Sequence, residues 1–291
     1  MDQAEQLRNV VKLQRQNIPK PAARVITVTS GKGGVGKSNT TVNLAIWLSK
    51  KGKRVVILDA DIGLANVEVM FGAIPKFNLS DLIYRGKNIT EIITPGPMNI
   101  GFISGGSGIL GLNNLTREQI GCIVGNMIHL DEIADIILID TGAGISDSVL
   151  EFALASPEIL LVMTPDPSSL TDSYSLVKAL YKNPSFQRLG TKINVISNRV
   201  NSTEEGRQVY EKLDTVTTRF LQGEIQYLGM VPEDRAIERA IRQQMPVSLM
   251  TPSARASKAY EILADNLLGY ETKQMIMRKG ITQIFAGMMN R

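Results

Sequence analysis

The chain has 291 residues, a formal net charge of +4 and 43% hydrophobic residues, which suits a folded chain with a substantial core. It contains one cysteine, Cys122, and one histidine, His129, so its composition excludes a disulfide framework, a cysteine cluster within one chain and a multi-histidine metal site. We expect His129 to be packed or surface-facing rather than catalytic. No stretch reads as a signal peptide or a membrane span, and we expect a cytosolic protein.

The positive charge lies at the two ends of the chain. Residues 1–24 carry five basic and two acidic side chains, and residues 270–291 carry four basic and one acidic. The middle of the chain is therefore slightly acidic, which disfavours a nucleic-acid partner and favours tails that contact acidic surfaces.

In chain order, short apolar runs alternate with longer helical stretches. Runs such as VVILD and IILID are continuously apolar, as strands buried on both faces are. The alternation predicts an α/β fold: a mostly parallel twisted sheet with helices on both faces. The predicted strands are Val25–Thr29, Arg54–Asp59, Asn99–Ser104, Ile136–Asp140, Ile159–Thr164, Lys192–Ser197 and Gln226–Val231. The predicted helices include Lys37–Lys51, Arg117–Asp131, Ser168–Lys182 and Glu204–Leu221.

Two breaks predict the domain organisation. Prolines in NIPKPAA, residues 17–23, interrupt regular structure, and Gly269 in LLGYE can end a helix. We therefore expect a tail and linker at 1–24, one domain at 25–268 and a separate C-terminal segment at 269–291.

The segment GKGGVGKS, Gly31–Ser38, follows the first predicted strand and precedes a helix. It fits G-x-x-x-x-G-K-[ST], a loop whose backbone N–H groups surround phosphates. Lys37 is predicted to contact the terminal phosphates and the Ser38 hydroxyl to bind Mg²⁺. The predicted phosphate-binding residues are Gly31, Lys32, Gly33, Gly34, Val35, Gly36, Lys37, Ser38 and Asn39.

Two other predicted strands end in carboxylates. Asp59 and Asp61 end one of them, and Asp140 follows four apolar residues in the Walker B pattern. Ligands of parallel sheets bind at this carboxyl edge, so Asp140 is predicted to hold Mg²⁺ through water. No glutamate follows Asp140, and we expect slow hydrolysis.

The sequence KGGVGK resembles the deviant phosphate loop (deviant Walker A motif) of the MinD/ParA ATPases, a class within the SIMIBI group of P-loop NTPases. The resemblance implies ATP and Mg²⁺ as cofactors, and a homodimer in which Lys32 reaches the partner's nucleotide. The segment from Asp59 is similar to the family's D-x-D-x-G-L-x-N switch. That similarity implies that Asp61 orients the attacking water and Asp59 lies in the Mg²⁺ shell. The alternative is that both carboxylates only cap the following turn.

Two later segments resemble the family's adenine site. NVISNRV contains Asn198, and YLGMVPEDRAIERA resembles the G-x-[VI]-P-E-D segment that contains Pro232 and Glu233. The resemblance implies that these residues flank adenine, and the guanine-reading N-K-x-D motif is absent. Asn and Pro are also common at strand ends for purely structural reasons.

The C-terminal segment has one apolar face at helical spacing among basic residues. This pattern is typical of a helix on an anionic membrane surface, and MinD-like proteins end comparably. The alternative is a helix packed on its own domain. Gly280 and Gly287 weaken the isolated helix, which favours a conditional anchor over a permanent one. We expect a cytoplasmic protein that binds peripherally to the inner face of the cell membrane in its ATP state. The apolar face comprises Met277, Ile281, Ile284, Phe285 and Met288.

The first residues resemble the N-terminal motif of the FlhG family (also called YlxH or FleN), MinD-like regulators of flagellar number and placement. The resemblance implies that residues 1–20 bind and stimulate the GTPase FlhF, with Gln3 as the stimulating contact, and that the chain contacts flagellar switch-ring components. The alternative is a tail without a partner. The matching residues are Asp2, Gln3, Ala4, Leu7 and Arg8.

Other functions remain open from the sequence. A division-site MinD is disfavoured by the extension at 1–24, and a DNA-partitioning ParA ATPase by the slightly acidic middle of the chain. A metal-cluster carrier is disfavoured because one cysteine per chain gives two in a dimer, too few for four thiolate ligands. A binding scaffold without turnover is a further alternative.

Overall fold

The computed structural model describes residues 22–61, 66–106, 116–184, 186 and 190–270. Within these ranges the strands form one sheet in the order β3-β4-β2-β5-β1-β6-β7-β8. Every neighbouring pair is parallel except β3 with β4, which confirms the predicted α/β fold. The strands are β1 (Arg24–Ser30), β2 (Val55–Ala60), β3 (Thr94–Pro95), β4 (Gly101–Ile103), β5 (Ile136–Ala143), β6 (Glu158–Met163), β7 (Lys192–Val200) and β8 (Gln226–Pro232).

Helices follow most of the strands and cover the sheet. Two short 3₁₀ turns lie at Pro97–Asn99 and Met127–Leu130. The α-helices are α1 (Lys37–Lys50), α2 (Asn66–Phe71), α3 (Leu79–Arg85), α4 (Arg117–Asn126), α5 (Asp147–Ala155), α6 (Pro167–Lys182), α7 (Thr203–Leu221), α8 (Arg235–Arg242), α9 (Val247–Met250) and α10 (Arg255–Leu267).

Both faces of the sheet are buried, because successive side chains of a strand point to opposite faces. In β6, Leu160 and Val162 join the core with α1 and α10, whereas Ile159 and Leu161 join the core with α6 and α7. A third core lies under α3 and α4. This arrangement explains why the central strands are apolar along their whole length.

All the predicted strands and helices are found, with two local differences. The strand predicted from Asn99 begins at Gly101, because a tight turn with Met98 and Asn99 at positive φ reverses the chain and pairs β4 with the short antiparallel β3. The helix predicted over 117–131 changes to a 3₁₀ turn after Asn126, where Gly and Asn are poor helix formers.

The predictions for the two ends of the chain lie outside the described residues. They concern the partner-activating residues Asp2, Gln3, Ala4, Leu7 and Arg8, and the membrane-binding residues Met277, Ile281, Ile284, Phe285 and Met288. Among the residues that the structure does describe, no helix is long and apolar enough to cross a bilayer. His129 is exposed on the second 3₁₀ turn, as expected.

Candidate nucleotide site

The predicted phosphate loop joins the carboxyl end of β1 to the first turn of α1. Gly34 and Gly36 have φ values of 76° and 98°, which glycine adopts without the cost of a Cβ clash. No side chain of the described residues caps the first turn of α1. Its N–H groups and the helix dipole are therefore available to an anion. Lys37 opens the helix and is buried.

Helix α6 fixes the start of this loop through direct backbone packing. A Cβ on Gly31 would lie 2.1 Å from the backbone carbonyl carbon of Asp172 and 2.3 Å from the amide nitrogen of Ser173. A Cβ on Gly33 would meet no atom closer than the Cβ of Ala143 at 4.0 Å. The two glycines therefore have different roles. The missing side chain of Gly31 leaves room for the backbone of α6, whereas a Cβ on Gly33 would meet no atom closer than 4.0 Å.

Gly31→Ala is expected to lower the free energy of unfolding by about 1–3 kcal/mol and to weaken ATP binding, because α6 must move away from the loop. Gly33→Ala is the matched control and should change stability by less than about 0.5 kcal/mol. Urea denaturation and nucleotide titration of both variants measure the difference. Equal effects of the two substitutions would show that the packing of α6 on Gly31 is unimportant.

Lys32, the second lysine of the loop, is half-buried, and its ammonium group lies at an exposed contact. Its Nζ donates a hydrogen bond of 2.6 Å to Oγ of Ser168, in the first turn of α6. Its carbonyl oxygen accepts a bond of 2.7 Å from Oγ of Ser30, which fixes the backbone below it. Ser168 is not predicted from the sequence, because the residues at the N-terminus of α6 do not indicate a contact with a distant loop.

Asp59 and Asp140 lie side by side on neighbouring strands. They are paired in register between β2 and β5, and both are fully buried. The Asp59 oxygens accept backbone N–H bonds from Asp61 at 3.2 Å and Val67 at 3.1 Å. Burial, and then the charge of Asp140, raise the pKa of Asp59 to about 8. Asp59 therefore fixes the backbone at Asp61 and at Val67, on either side of the segment that follows β2.

Asp140 has one oxygen engaged and one free. Its Oδ1 accepts a 3.1 Å bond from the Thr41 hydroxyl, but its buried Oδ2 has no hydrogen-bond partner among the described residues. Burial raises the pKa of Asp140 to about 6, against the opposing effects of the Ser38 hydroxyl and the Lys37 charge. A buried carboxylate oxygen without a partner is costly, and a hydrated cation beside Ser38 would satisfy it. The residues present thus fit Mg²⁺.

The nucleotide-free protein is expected to lose stability as the pH rises from about 4 to about 8. The folded chain keeps protons on Asp59 and Asp140 where the unfolded chain has lost them, because both pKa values are raised from 3.8. That contribution is fully present below the unfolded pKa and is lost as pH rises through the folded values. Denaturation in a chelating buffer measures it. In Asp140→Asn, the free energy of unfolding should depend less on pH. An unchanged slope would contradict the effect of the Asp140 charge on the pKa of Asp59.

Asp61 lies beyond the end of β2, between the phosphate loop and the loop after β5. Its Oδ2 accepts a 3.0 Å bond from Nδ2 of Asn66, and its Oδ1 lies 3.3 Å from the position of a Cβ on Gly142. Burial raises the pKa of Asp61, and the nearby charge of Lys37 lowers it. The carboxylate is therefore oriented by an amide beside the loop that holds Lys37.

A cavity of about 200 Å³ opens beside the phosphate loop and collects the residues predicted to flank a base. Asn198 lies at its inner edge, where Nδ2 donates a 2.7 Å bond to the Val35 carbonyl oxygen. Its Oδ1 accepts the N–H of Arg199, a residue at positive φ. The side chain of Asn198 thus also supports the loop. The lining includes Gly36, Asn39, Asn198, Pro232, Glu233 and Tyr260.

Some residues of the site were not predicted from the sequence. Thr41 orients Asp140, Ser168 contacts Lys32, and Tyr260 closes the cavity from α10. Asn66 is the last residue of the D-x-D-x-G-L-x-N motif, and its side-chain amide donates a hydrogen bond to Asp61. The contacts of Thr41, Ser168 and Tyr260 join segments that are far apart in the sequence. The contact of Asn66 with Asp61 is local, and the spacing of the motif could have predicted it.

Comparison with known families decides the classification. The family described as "ParA: NUBPL iron-transfer P-loop NTPase" matches residues 22–268. The chain belongs to the ParA family. The prediction that it is a P-loop ATPase is confirmed by this membership and by the assembled phosphate loop. The iron-transfer part of that description is not extended to this ParA-family chain, which has one cysteine.

Two of the curated relatives share 33% or more of their aligned residues with this chain. The antiactivator FleN of Pseudomonas aeruginosa is 38% identical over 244 residues, which cover 84% of this chain and 86% of FleN. The flagellum site-determining protein YlxH of Helicobacter pylori is 33% identical over 278 residues, which cover 91% of this chain and 90% of YlxH. The predicted resemblance to this branch of the family is therefore confirmed.

A solved structure supports the same fold. The crystal structure of the cell division ATPase MinD of Pyrococcus furiosus superimposes with a TM-score of 0.68 and 25% identity, over 85% of this chain and 99% of that protein. This ParA-family chain therefore has the MinD-type architecture around its phosphate loop.

Proposed function

We propose that this chain is a MinD-like ATPase that dimerises with ATP and regulates the number or placement of flagella. One observation carries the proposal: Lys37 of the phosphate loop is buried at the site, whereas the ammonium group of the second lysine, Lys32, lies at an exposed hydrogen bond to Ser168. Lys32 can leave that bond to meet a nucleotide on another copy. The flagellar role is supported by the names of the two curated relatives, FleN and YlxH.

ATP binds along the edge of the sheet. Its phosphates lie over the uncapped first turn of α1 and contact Lys37. Its base and ribose enter the cavity beside Asn198, Pro232 and Glu233. The size of the cavity, about 200 Å³, suits the nucleoside part of the ligand because the phosphates lie outside it, over the loop.

Ser38 would bind Mg²⁺ directly and Asp140 would hold it through water. The Oδ2 of Asp140, which has no partner among the described residues, would accept a hydrogen bond from such a water, and the Thr41 hydroxyl holds the other oxygen of the carboxylate. When bound, the ion neutralises charge that develops on the phosphates during transfer. Asp59 lies in the outer shell, since its oxygens already accept two backbone N–H bonds.

Asp61 orients the attacking water for hydrolysis. Its carboxylate lies close to Gly142 near the end of β5, and Asn66 fixes its direction. No glutamate follows Asp140 to act as a stronger base. Turnover is accordingly slow, which suits a protein whose ATP-bound state has to last.

Dimerisation requires Lys32 to leave Ser168 and contact the partner's nucleotide. A lysine gains most from phosphates when water is excluded, and two copies placed face to face exclude it. The nucleotide then belongs to the interface. Loss of the Ser168 hydrogen bond is a small cost, because that bond lies at the surface.

The two ends of the chain connect this cycle to its partners. Residues 1–20 bind and stimulate an FlhF-type GTPase, and residues 271–291 bind an anionic membrane surface in the ATP state. Switch-ring components of the flagellum are further partners. The protein is cytoplasmic and joins the inner face of the cell membrane peripherally.

A peptide of residues 1–20 is expected to raise the GTPase rate of a GTP-loaded FlhF-type partner by about 10-fold or more, because a positioned glutamine can orient the attacking water. Phosphate release with and without the peptide measures the effect. A Gln3→Ala peptide of the same length is the matched control. No stimulation by either peptide would remove the proposed FlhF contact.

A further inference from the structure

A second cavity lies at the opposite end of the sheet from the nucleotide site. Its volume is about 240 Å³, and it opens beside Ala22, where the described chain begins. Residues that precede β1, β5 and β6 surround it, so it lies at the amino ends of these strands. We call it the amino-edge groove, and its lining includes Val25, Val124, Met127, Ile128, Ile137 and Ala155.

The lining of this groove is suited to aliphatic side chains. It is mostly apolar and offers few polar groups that could orient a small polar molecule. Ile128 stands at the rim with 67% of its surface exposed, and Ala155 is also exposed. An apolar rim of this kind is covered favourably by an apolar segment of polypeptide.

We propose that residues 10–18 of this same chain dock in the amino-edge groove. Ile18 is four residues from Ala22, and four extended residues span at most about 14 Å. The segment also contains Val10, Val11 and Leu13, so it offers several aliphatic side chains close to the groove. Docking by an attached segment is favoured over a free partner because its effective concentration is high.

Charge supports this occupant. Asp131 lines the groove, and Glu132 and Asp135 follow it in the turn before β5, where Arg54 pairs with Asp135. Residues 1–24 carry a net charge of opposite sign, with Arg8, Lys12 and Arg15 beside or within the docking segment. Electrostatic attraction between an acidic face and a basic segment orients the two.

The chain is already held at the entrance to the groove. The amide N–H of Ala23 donates a 2.9 Å bond to Oδ1 of Asp131, a lining residue. Arg24 pairs with Glu158 and donates a 2.6 Å bond from Nη1 to the Leu267 carbonyl oxygen. These contacts fix the direction in which the preceding residues leave β1.

Helix α5 connects the groove to the nucleotide site. Its C-terminal residue Ala155 lines the groove, and its N-terminus follows the end of β5, where Gly142 lies close to Asp61. A docked segment therefore contacts the far end of the helix that begins a few residues after Gly142. This inference does not depend on the proposed flagellar function.

Hydrogen exchange of the full-length chain, read by mass spectrometry, tests the docking. In the nucleotide-free protein, amides of residues 10–18 are expected to exchange about 10-fold or more slowly than those of a free peptide of residues 1–20. Ile128→Glu and Ala155→Trp should each abolish this protection, since they alter exposed positions in the groove. Ile74→Glu is the matched control: it is 94% exposed at another site and should leave the protection intact.

Four outcomes would overturn the proposal. Residues 10–18 could exchange as fast as the free peptide, or keep their protection in both groove variants. Protection by the groove could instead appear in residues 271–291, which would assign the groove to the C-terminal segment. Protection that rises with protein concentration would assign it to a second copy of the chain.

Discussion

Lys32→Ala is expected to bind ATP as a single chain but to dimerise about 1,000-fold more weakly. Removing one member of a desolvated charge contact costs about 2 kcal/mol or more, and a symmetric dimer loses two such contacts. ATP affinity of the single chain should change little, because the Lys32 ammonium group bonds Ser168 rather than the chain's own phosphate loop. Sedimentation velocity with Mg²⁺ and ATP measures the dimer.

Ser168→Ala provides the matched control for this experiment. It removes the contact that holds Lys32 in the single chain and keeps the lysine itself. We expect dimers at the same or a lower protein concentration than for the unmodified chain. If Lys32→Ala dimerised normally with ATP, the second lysine would have no role between subunits.

Asp61→Ala is expected to lower the rate of ATP hydrolysis by about 100-fold or more while leaving ATP-bound dimers intact. A side chain that orients or activates water contributes about 10²–10⁴-fold to a rate. Binding should persist because Lys37, Ser38 and Asp140 are unchanged. Steady-state phosphate release and the lifetime of the dimer after ATP removal measure the two effects.

Asn66→Ala separates orientation from chemistry at the same position. It leaves the carboxylate of Asp61 in place but removes its 3.0 Å hydrogen bond, so the loss of rate should be smaller, about 10-fold. Normal turnover by Asp61→Ala would assign the water to another residue. A collapse of ATP binding in that variant would instead give Asp61 a role in the bound state.

The sequence predicts those features that depend on local pattern. The runs around Asp59 and Asp140 are apolar because β2 and β5 are central strands, and their carboxyl ends must then meet at one edge. The same rule brings Asn198 and Pro232 to one cavity beside Gly36. The family resemblance adds the roles of these residues, which spacing alone does not provide.

The remaining features of the site depend on packing between distant segments. Gly31 is needed because α6 passes over it, and nothing near Gly31 in the sequence states which helix will do so. The bond from Lys32 to Ser168 spans 136 residues, and the bond from Thr41 to Asp140 spans 99. Serine and threonine are too common for such partners to be identified before the sheet order is known.

A crystal structure with Mg²⁺ and a non-hydrolysable ATP analogue tests the central claim most directly. The account predicts two chains face to face, with Nζ of each Lys32 within about 3 Å of a phosphate oxygen on the partner's nucleotide. Separate chains with the analogue bound, and with Lys32 still bonded to Ser168, would contradict it. Solution scattering of the same sample would exclude an effect of the lattice on either result.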